Sequence, residues 1–437
     1  MEGYLARIAA FDQDGPALNA VVSVAADARA QAERLDQALA DTGQVVGPLH
    51  GVPVVVKDNI DTADLPTSYG SAPFADFRPE ADAPAVVALR NAGAIILAKT
   101  TLPDWATSWF GQSSRSGVTR NPFALDRDPG ASSAGTGSAV AAAYAPVGLG
   151  TDCGGSVRLP ASFSNLVGLR TTPGLNSRTG SSPLVAAQDT VGPMTRTVTD
   201  AAHLLDLMVG YDPQDPLTAN FSVGRALNGA SYRSALTPEG LSGRRLGVLR
   251  SAFGEDDDEA GPVNEVMEDA LHQLRAGGAD LVDVTIEDLP GWIARTSMYT
   301  LTSKRDLDAF LADRPGAPLG SIDAIMQAGA YDSRLDLLEA LAAGPQDPLA
   351  ERAYVEALLG REQFAYLLVT LMEAHGLSAL VFPTCQVRPP RREDVDSGRW
   401  NTLNFPTNTV IASQSWLPAI SVPAGLTRDG LPVGLEI

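Results

Sequence analysis

The chain reads as an α/β protein, and three stretches carry that reading. "GVPVVVKDNID" (51–61) is a compact Val-rich run between turn residues, the pattern of a buried strand. "PAVVALRNAGAIILAKT" (84–100) sets a helical apolar period, a Gly stop and a second apolar run in close succession. "PVNEVMEDALHQLRAGGADLVDVTI" (262–286) repeats the device, with Val263, Val266, Met267, Ala270, Leu271 and Leu274 on one helix face ahead of Gly277-Gly278. The shared "LRNAGA" and "LRAGGA" are the same helix-stop chemistry and do not establish an internal repeat.

The other elements follow in order. Leu5, Ile8 and Ala9 give the N-terminal stretch an amphipathic helical spacing, and 25–39 ("ADARAQAERLDQALA") predicts a second helix. From about 112 to 195 the chain is rich in Gly, Ser, Thr and Pro and poor in charge. A small-residue helix over Ser138–Ala145 is the one break predicted there; such a stretch inside a compact domain is expected to be buried and functional. Residues 287–375 read as acidic and helical. "LSALVFPTC" (377–385), "PAISVPAGL" (418–426) and the final "GLPVGLEI" predict late strands that return to the sheet.

Composition narrows the function classes. With 437 residues, 44% apolar and 19% charged, the chain is large enough to bury an enzyme-sized core. Its 32 basic against 52 acidic side chains, net -20, would repel a phosphate backbone, so the expectation is no nucleic-acid partner. Cys153 and Cys385 are too few for a disulfide framework or a thiolate zinc site, which points to a reducing cytoplasm. The longest apolar run, "AVAAAYAPVGLG" (139–150), is too short to cross a bilayer, so no membrane partner is expected.

"GTDCGGSVR" (150–158) places Ser156 directly after two glycines, as a nucleophile in a tight turn would be, and raises the question of its base. The four histidines do not answer it. His203 and His272 sit inside helical patterns, His375 at a helix end, and His50 a turn before the Val-rich strand. No two histidines share a metal-ligand spacing, so no metal is expected. "GASSAGTGS" (130–138) lacks the Lys-Ser/Thr that a phosphate loop requires. Lysine occurs only at Lys57, Lys99 and Lys304. Lys57 ends the apolar run "VPVVVK", where burial would lower its pKa toward that of a base, or where it would pair with Asp58. Lys99 ends "AIILAK" in the same manner, and period and composition do not separate the two.

"GPLHGVPVVVKDNID", "PGASSAGTGSAVAAA", "GTDCGGSVRLPASFSNLVGLRTTPG" and "DTVGPMTRTVTDAAHLLDLM" follow one another in the order and spacing of the amidase signature family, which the chain resembles across nearly its whole length. The resemblance implies one domain over 1–437, a catalytic core over 45–210, and a more variable, mainly helical part over 211–375 that covers the substrate. The fold it implies is a central mixed twisted β-sheet with helices on both faces. It implies a Ser-Ser-Lys triad of Lys57 as base, Ser132 in a cis peptide as relay, and Ser156 as nucleophile, with an oxyanion hole from the backbone of Cys153, Gly154, Gly155 and Ser156. Ser133, Asp152 and Arg158 are expected to support that turn, and the Cys153 side chain to be a small packing group. No cofactor is needed. The expected substrate is a small apolar or aryl amide. A carbamate is the first alternative; the others are an amidotransferase component of the A type, working on charged transfer RNA, and a non-catalytic family member. Trp105, Trp109 and Gln188 are candidate substrate contacts, and a monomer or homodimer is expected. The chain departs from the family in "GASSAG", where Ala131 and Ala134 replace glycines, and both of its ends read as clipped.

Overall fold

The computed structural model describes residues 1–221, 231–255 and 258–437. The part of the 211–375 segment at 222–230 and 256–257 lies outside the described residues. Thirteen strands are present among the described residues: β1 (Val21–Val24), β2 (Pro53–Lys57), β3 (Ile95–Thr100), β4 (Gln112–Ser113), β5 (Gly117–Val118), β6 (Val147–Asp152), β7 (Val167–Arg170), β8 (Thr190–Thr195), β9 (Arg245–Leu249), β10 (Asp280–Val284), β11 (Ala379–Pro383), β12 (Ala419–Leu426) and β13 (Pro432–Glu436). β4 and β5 pair only with each other, and the other eleven form one mixed sheet in the order β1-β3-β2-β6-β8-β7-β12-β13-β11-β9-β10. β2 runs parallel to β3 and β6, as do β11, β9 and β10 among themselves, whereas the strands between β6 and β11 pair antiparallel. The mixed sheet expected from the resemblance is therefore present.

Every residue of β2, β3, β6, β8 and β13 is buried, which is the condition of strands covered by helices on both faces. That is why these strands read as near-continuous apolar or small-residue runs rather than as alternating patterns. The N-terminal helices α1 (Glu2–Phe11), α2 (Ala28–Thr42) and α3 (Pro84–Asn91) close the first core with the β1–β3 edge. Helix α4 (Ala134–Ala141) begins four residues earlier than the period suggested. The period could not locate that start, because α4 is small-residued and buried on almost every side and so has no polar face to phase it. Helix α5 (Arg158–Phe163), buried throughout, packs on β7, β12 and β13, and α6 (Val198–Met208) packs on β8 and α3. His203 lies within α6, His272 within the helix Gly261–Ala276, and His375 ends the helix Arg352–His375, as their settings suggested.

From residue 287 onward the chain is helical up to His375, and its helices Tyr299–Ala312, Ile322–Ala328 and Asp336–Ala342 build a second core with Tyr69, Phe74 and Trp105. This core flanks the turn after β6. Among the described residues no helix is long and apolar enough to cross a membrane.

Candidate active site

The site assembles at the C-terminal ends of β2 and β6, neighbouring parallel strands that deliver Lys57 and the turn Asp152–Ser156 to the same edge of the sheet. Lys57 is fully buried. Its Nζ donates to Ser132 Oγ at 2.7 Å and to Thr151 Oγ1 at 2.8 Å, with Thr151 O at 3.4 Å. Burial pushes Lys57 down to about 7, against the pull of Asp152 and Asp189 toward the charged form. A large part of its population is then neutral in mildly alkaline solution.

Lys99 separates from Lys57 here as it could not in the sequence. Its Nζ donates to Ile60 O and Thr67 Oγ1, both at 2.7 Å, and lies 3.4 Å from Asp58. Asp58, the partner considered for Lys57, thus serves Lys99. Desolvation lowers Lys99 as well, but its hydrogen bonds lead to no serine of the turn.

Ser132 and Ser133 lie where the loop enters α4, and the Ala131–Ser132 peptide is cis. Ser133 N donates to Ser156 O at 3.0 Å, which docks this loop against the Ser156 turn. Ala131 and Ala134 are completely buried, and the methyls they add leave the Lys57–Ser132 contact intact. Among the described residues the Ser156 hydroxyl makes no hydrogen bond, and neither do the backbone N–H groups of Cys153, Gly154, Gly155 and Ser156. Gly155 has φ of +144°, in the region that favours glycine, and a methyl there would collide with the Thr409 side chain. A methyl on Gly154 would collide with the Tyr299 hydroxyl. The turn is thus a set of unused donors in a backbone that only glycine lets pack this closely against Tyr299 and Thr409.

Asp152 and Arg158 brace the turn from beneath. Arg158 Nη2 and Nε reach the Asp152 carboxylate at 3.0 and 3.1 Å, and Arg170 Nη1 donates to Asp152 O at 2.7 Å. The two guanidiniums hold Asp152 down to about 2 despite its burial. Burial pushes the Cys153 thiol well up, so it remains protonated and packs as a small side chain.

Ser156 faces a cavity with about 10 Å³ of free space, lined by Ser108, Trp109, Gly154, Leu184, Tyr299 and Leu337. That is room for one water-sized group. Trp109 is at this wall, its Nε1 donating to Thr402 O at 3.0 Å. Trp105 is not. It is completely buried, stacked on Tyr69 at 5.1 Å, and so belongs to the second core. Gln188 is also withdrawn from the cavity; its Nε2 donates to Cys153 O at 2.6 Å and its Oε1 accepts from Arg361. It holds the turn from behind. Tyr299 is the residue at this wall that the sequence did not single out: among the described residues its buried hydroxyl has no partner. No local signal could have found it, because it starts an ordinary helix far down the chain. A larger cleft of about 750 Å³ is bordered by Thr151, Asp189, Arg178, Arg314 and Asp306.

A buried lysine held near neutrality against a serine, beside a second serine in a glycine turn, defines a serine–lysine hydrolase of amide bonds. The whole chain, residues 1–437, matches the family model described as Amidase, and the protein belongs to that family of carbon–nitrogen hydrolases. The A subunit of a glutamyl-tRNA(Gln) amidotransferase from Prochlorococcus marinus (strain MIT 9303) is 34% identical over 460 residues, covering 99% of this chain and 88% of that protein. The structure of native peptide amidase from Stenotrophomonas maltophilia superimposes with a TM-score of 0.86 at 36% identity, covering 100% of this chain and 88% of that one. The A subunit of the Thermotoga maritima glutamyl-tRNA(Gln) amidotransferase gives 0.75 at 27%, with 100% and 86% covered.

These relatives correct one expectation. A small amide or carbamate as sole partner, with nucleic acid excluded, does not stand against curated relatives that are named for tRNA. The charge argument addressed direct contact with a phosphate backbone. It has no bearing on a substrate that is linked to tRNA within a larger assembly.

Proposed function

We propose that this chain splits a carboxamide through an acyl-enzyme on Ser156, and that it does so as an amidotransferase component of the A type, releasing ammonia for a partner that handles charged tRNA. The observation that carries the chemistry is the buried 2.7 Å contact between Lys57 and Ser132 with Lys57 held at about 7. What supports the A-type assignment is the run of amidotransferase relatives at 31–34% identity across nearly the entire chain.

In this reading neutral Lys57 takes a proton from Ser132 as Ser132 takes one from Ser156, and Ser156 Oγ attacks the carbonyl carbon. The relay uses a Ser132–Ser156 hydrogen bond that forms as the substrate carbonyl reaches Ser156. The oxyanion accepts from the free N–H groups of the Cys153–Ser156 turn, each of which is worth about 3 kcal/mol of barrier. Lys57 returns the proton through Ser132 to the leaving nitrogen, the C–N bond breaks, and water then cleaves the ester at Ser156.

A second reading, hydrolysis of a peptide carboxamide without a partner, is favoured by two observations. Among the described residues the wall around Ser156 carries no charged side chain to hold a free amino acid, and the superposition on peptide amidase is tighter than that on the Thermotoga maritima protein. Ammonia release from glutamine and from a C-terminally amidated dipeptide, each with and without the host's co-purifying proteins, separates the two. Glutamine turnover that rises with a partner supports the first, and turnover of the amidated peptide by the chain alone supports the second. In either case Ser156→Ala should lose all turnover while keeping its thermal midpoint; a fully active variant overturns both.

A further inference from the structure

Glu436 belongs to none of the motifs that mark the site. It lies on β13, completely buried. Its Oε1 accepts from Arg158 Nη1, and its Oε2 has no partner among the described residues. Arg158 spends its remaining donors on Asp152 and, at 2.8 Å, on Ser413 Oγ. Asp152 Oδ2 accepts from Val157 N at 3.2 Å, the amide directly after Ser156, and Arg170 fixes the Asp152 carbonyl on the other side of the turn. Four charges, two of each sign, are thus sealed from water beneath the segment that carries Ser156.

The balance of this cluster depends on Glu436. With its carboxylate ionised the cluster is neutral, and Arg158 has a charge-assisted partner at each end. With it protonated, Arg158 loses its charge-assisted partner at the β13 end and two guanidiniums share Asp152 alone. The pull of Arg158 on Asp152 then changes, and the Asp152 carboxylate holds the Val157 amide, directly after Ser156.

We propose that Glu436 is a positioning residue for the reaction at Ser156: its carboxylate, acting through Arg158 and Asp152, holds the turn in its working geometry, so that turnover requires Glu436 to be ionised. This rests on Ser156 being the nucleophile. The charged groups that face Glu436 are Arg158 from α5, Asp152 from β6 and Arg170 from β7; its cross-strand neighbours Phe382 on β11 and Ser421 on β12 carry no charge. Burial lifts Glu436 to about 7, the region in which Lys57 gives up its proton. Two ionisations then govern the acid side of the activity profile in place of one.

The test is the pH dependence of kcat/KM for ammonia release, with kcat and KM also measured separately. The wild-type acid limb should approach a slope of about 2 on a double-logarithmic plot. Glu436→Gln keeps the size and one acceptor but cannot titrate. Its limb should flatten to about 1 and its kcat at pH ~8 should fall about tenfold at unchanged KM. Glu436→Asp, which keeps a titrating group, should keep the steep limb, and it stands in if the glutamine variant does not fold. A wild-type limb of slope about 1, or a glutamine variant that keeps the steep limb and full kcat, overturns the proposal. Should Ser156→Ala remain active, the nucleophile assignment has failed, and that result is separate from either slope.

Discussion

Lys57 and Lys99 show how far burial alone is from defining a base. Both end apolar strands and both are sealed from water, yet Lys99 lies beside Asp58 and is tied to backbone and threonines, whereas Lys57 faces two hydroxyls. Lys57→Ala should lower kcat about 10²–10⁴-fold with little change in the urea midpoint, the range for removing a general base. Lys99→Ala should do the reverse, because it strands Asp58 without its cation, at about 3–5 kcal/mol of stability. Equal activity losses from the two would refute the assignment. The sign of the pH effect follows from the same environment. Since the neutral amine is the active form and burial has lowered Lys57 from 10.5 to about 7, activity should rise through neutrality and level off a little above it. An unshifted lysine would still be gaining activity at pH ~10.

At the scale of elements, the site is a meeting of strand ends with two loops, and the turn after β6 is its most constrained part. Gly155→Ala places a side chain at φ +144° and against Thr409, so kcat should drop about 100-fold, as for loss of an oxyanion donor, with near-unchanged circular dichroism. Retained kcat would mean that the turn can shift without harm. This part of the site was legible beforehand through the order and spacing of four local motifs that carry the family resemblance; the strand-end pattern alone left Lys57 and Lys99 unseparated. The wall was legible only at Trp109. Trp105 and Gln188 stood close in sequence to those motifs, and the fold turned one into a second core and the other behind the turn. Tyr299, Arg361 and Glu436 reach the site from helices and a strand folded back over long separations, so no period or spacing marks them. The same limit applies to α4, whose boundary slipped because a helix buried all round has no polar face to phase it.

Across the whole molecule, the fold gathers buried carboxylates that hold their protons more tightly than water would allow. Burial lifts Asp104, Asp128 and Asp189 to about 6 and Glu436 to about 7. Each binds its proton more tightly folded than unfolded, so stability contributed by protonation is complete below about pH 4 and is lost as pH rises through 6 to 7. Asp152 acts in the opposite sense, but its window lies below its usual value of 3.8, down to about 2. The urea midpoint should therefore be higher at pH ~5 than at pH ~7, and the net charge of -20 pushes the same way. A midpoint that stays level or climbs over this interval would overturn the raised proton affinity of these carboxylates.

The cluster beneath the turn also sets an order of events during synthesis. Glu436 follows Arg158 by 278 positions, so on a translating ribosome Arg158 gains its second carboxylate only after β13 has been made. At about 5–20 residues per second that interval lasts on the order of 14–56 seconds. During it the Ser156 turn lacks the counter-charge that Glu436 brings, and the support beneath the turn is completed only when β13 joins the sheet.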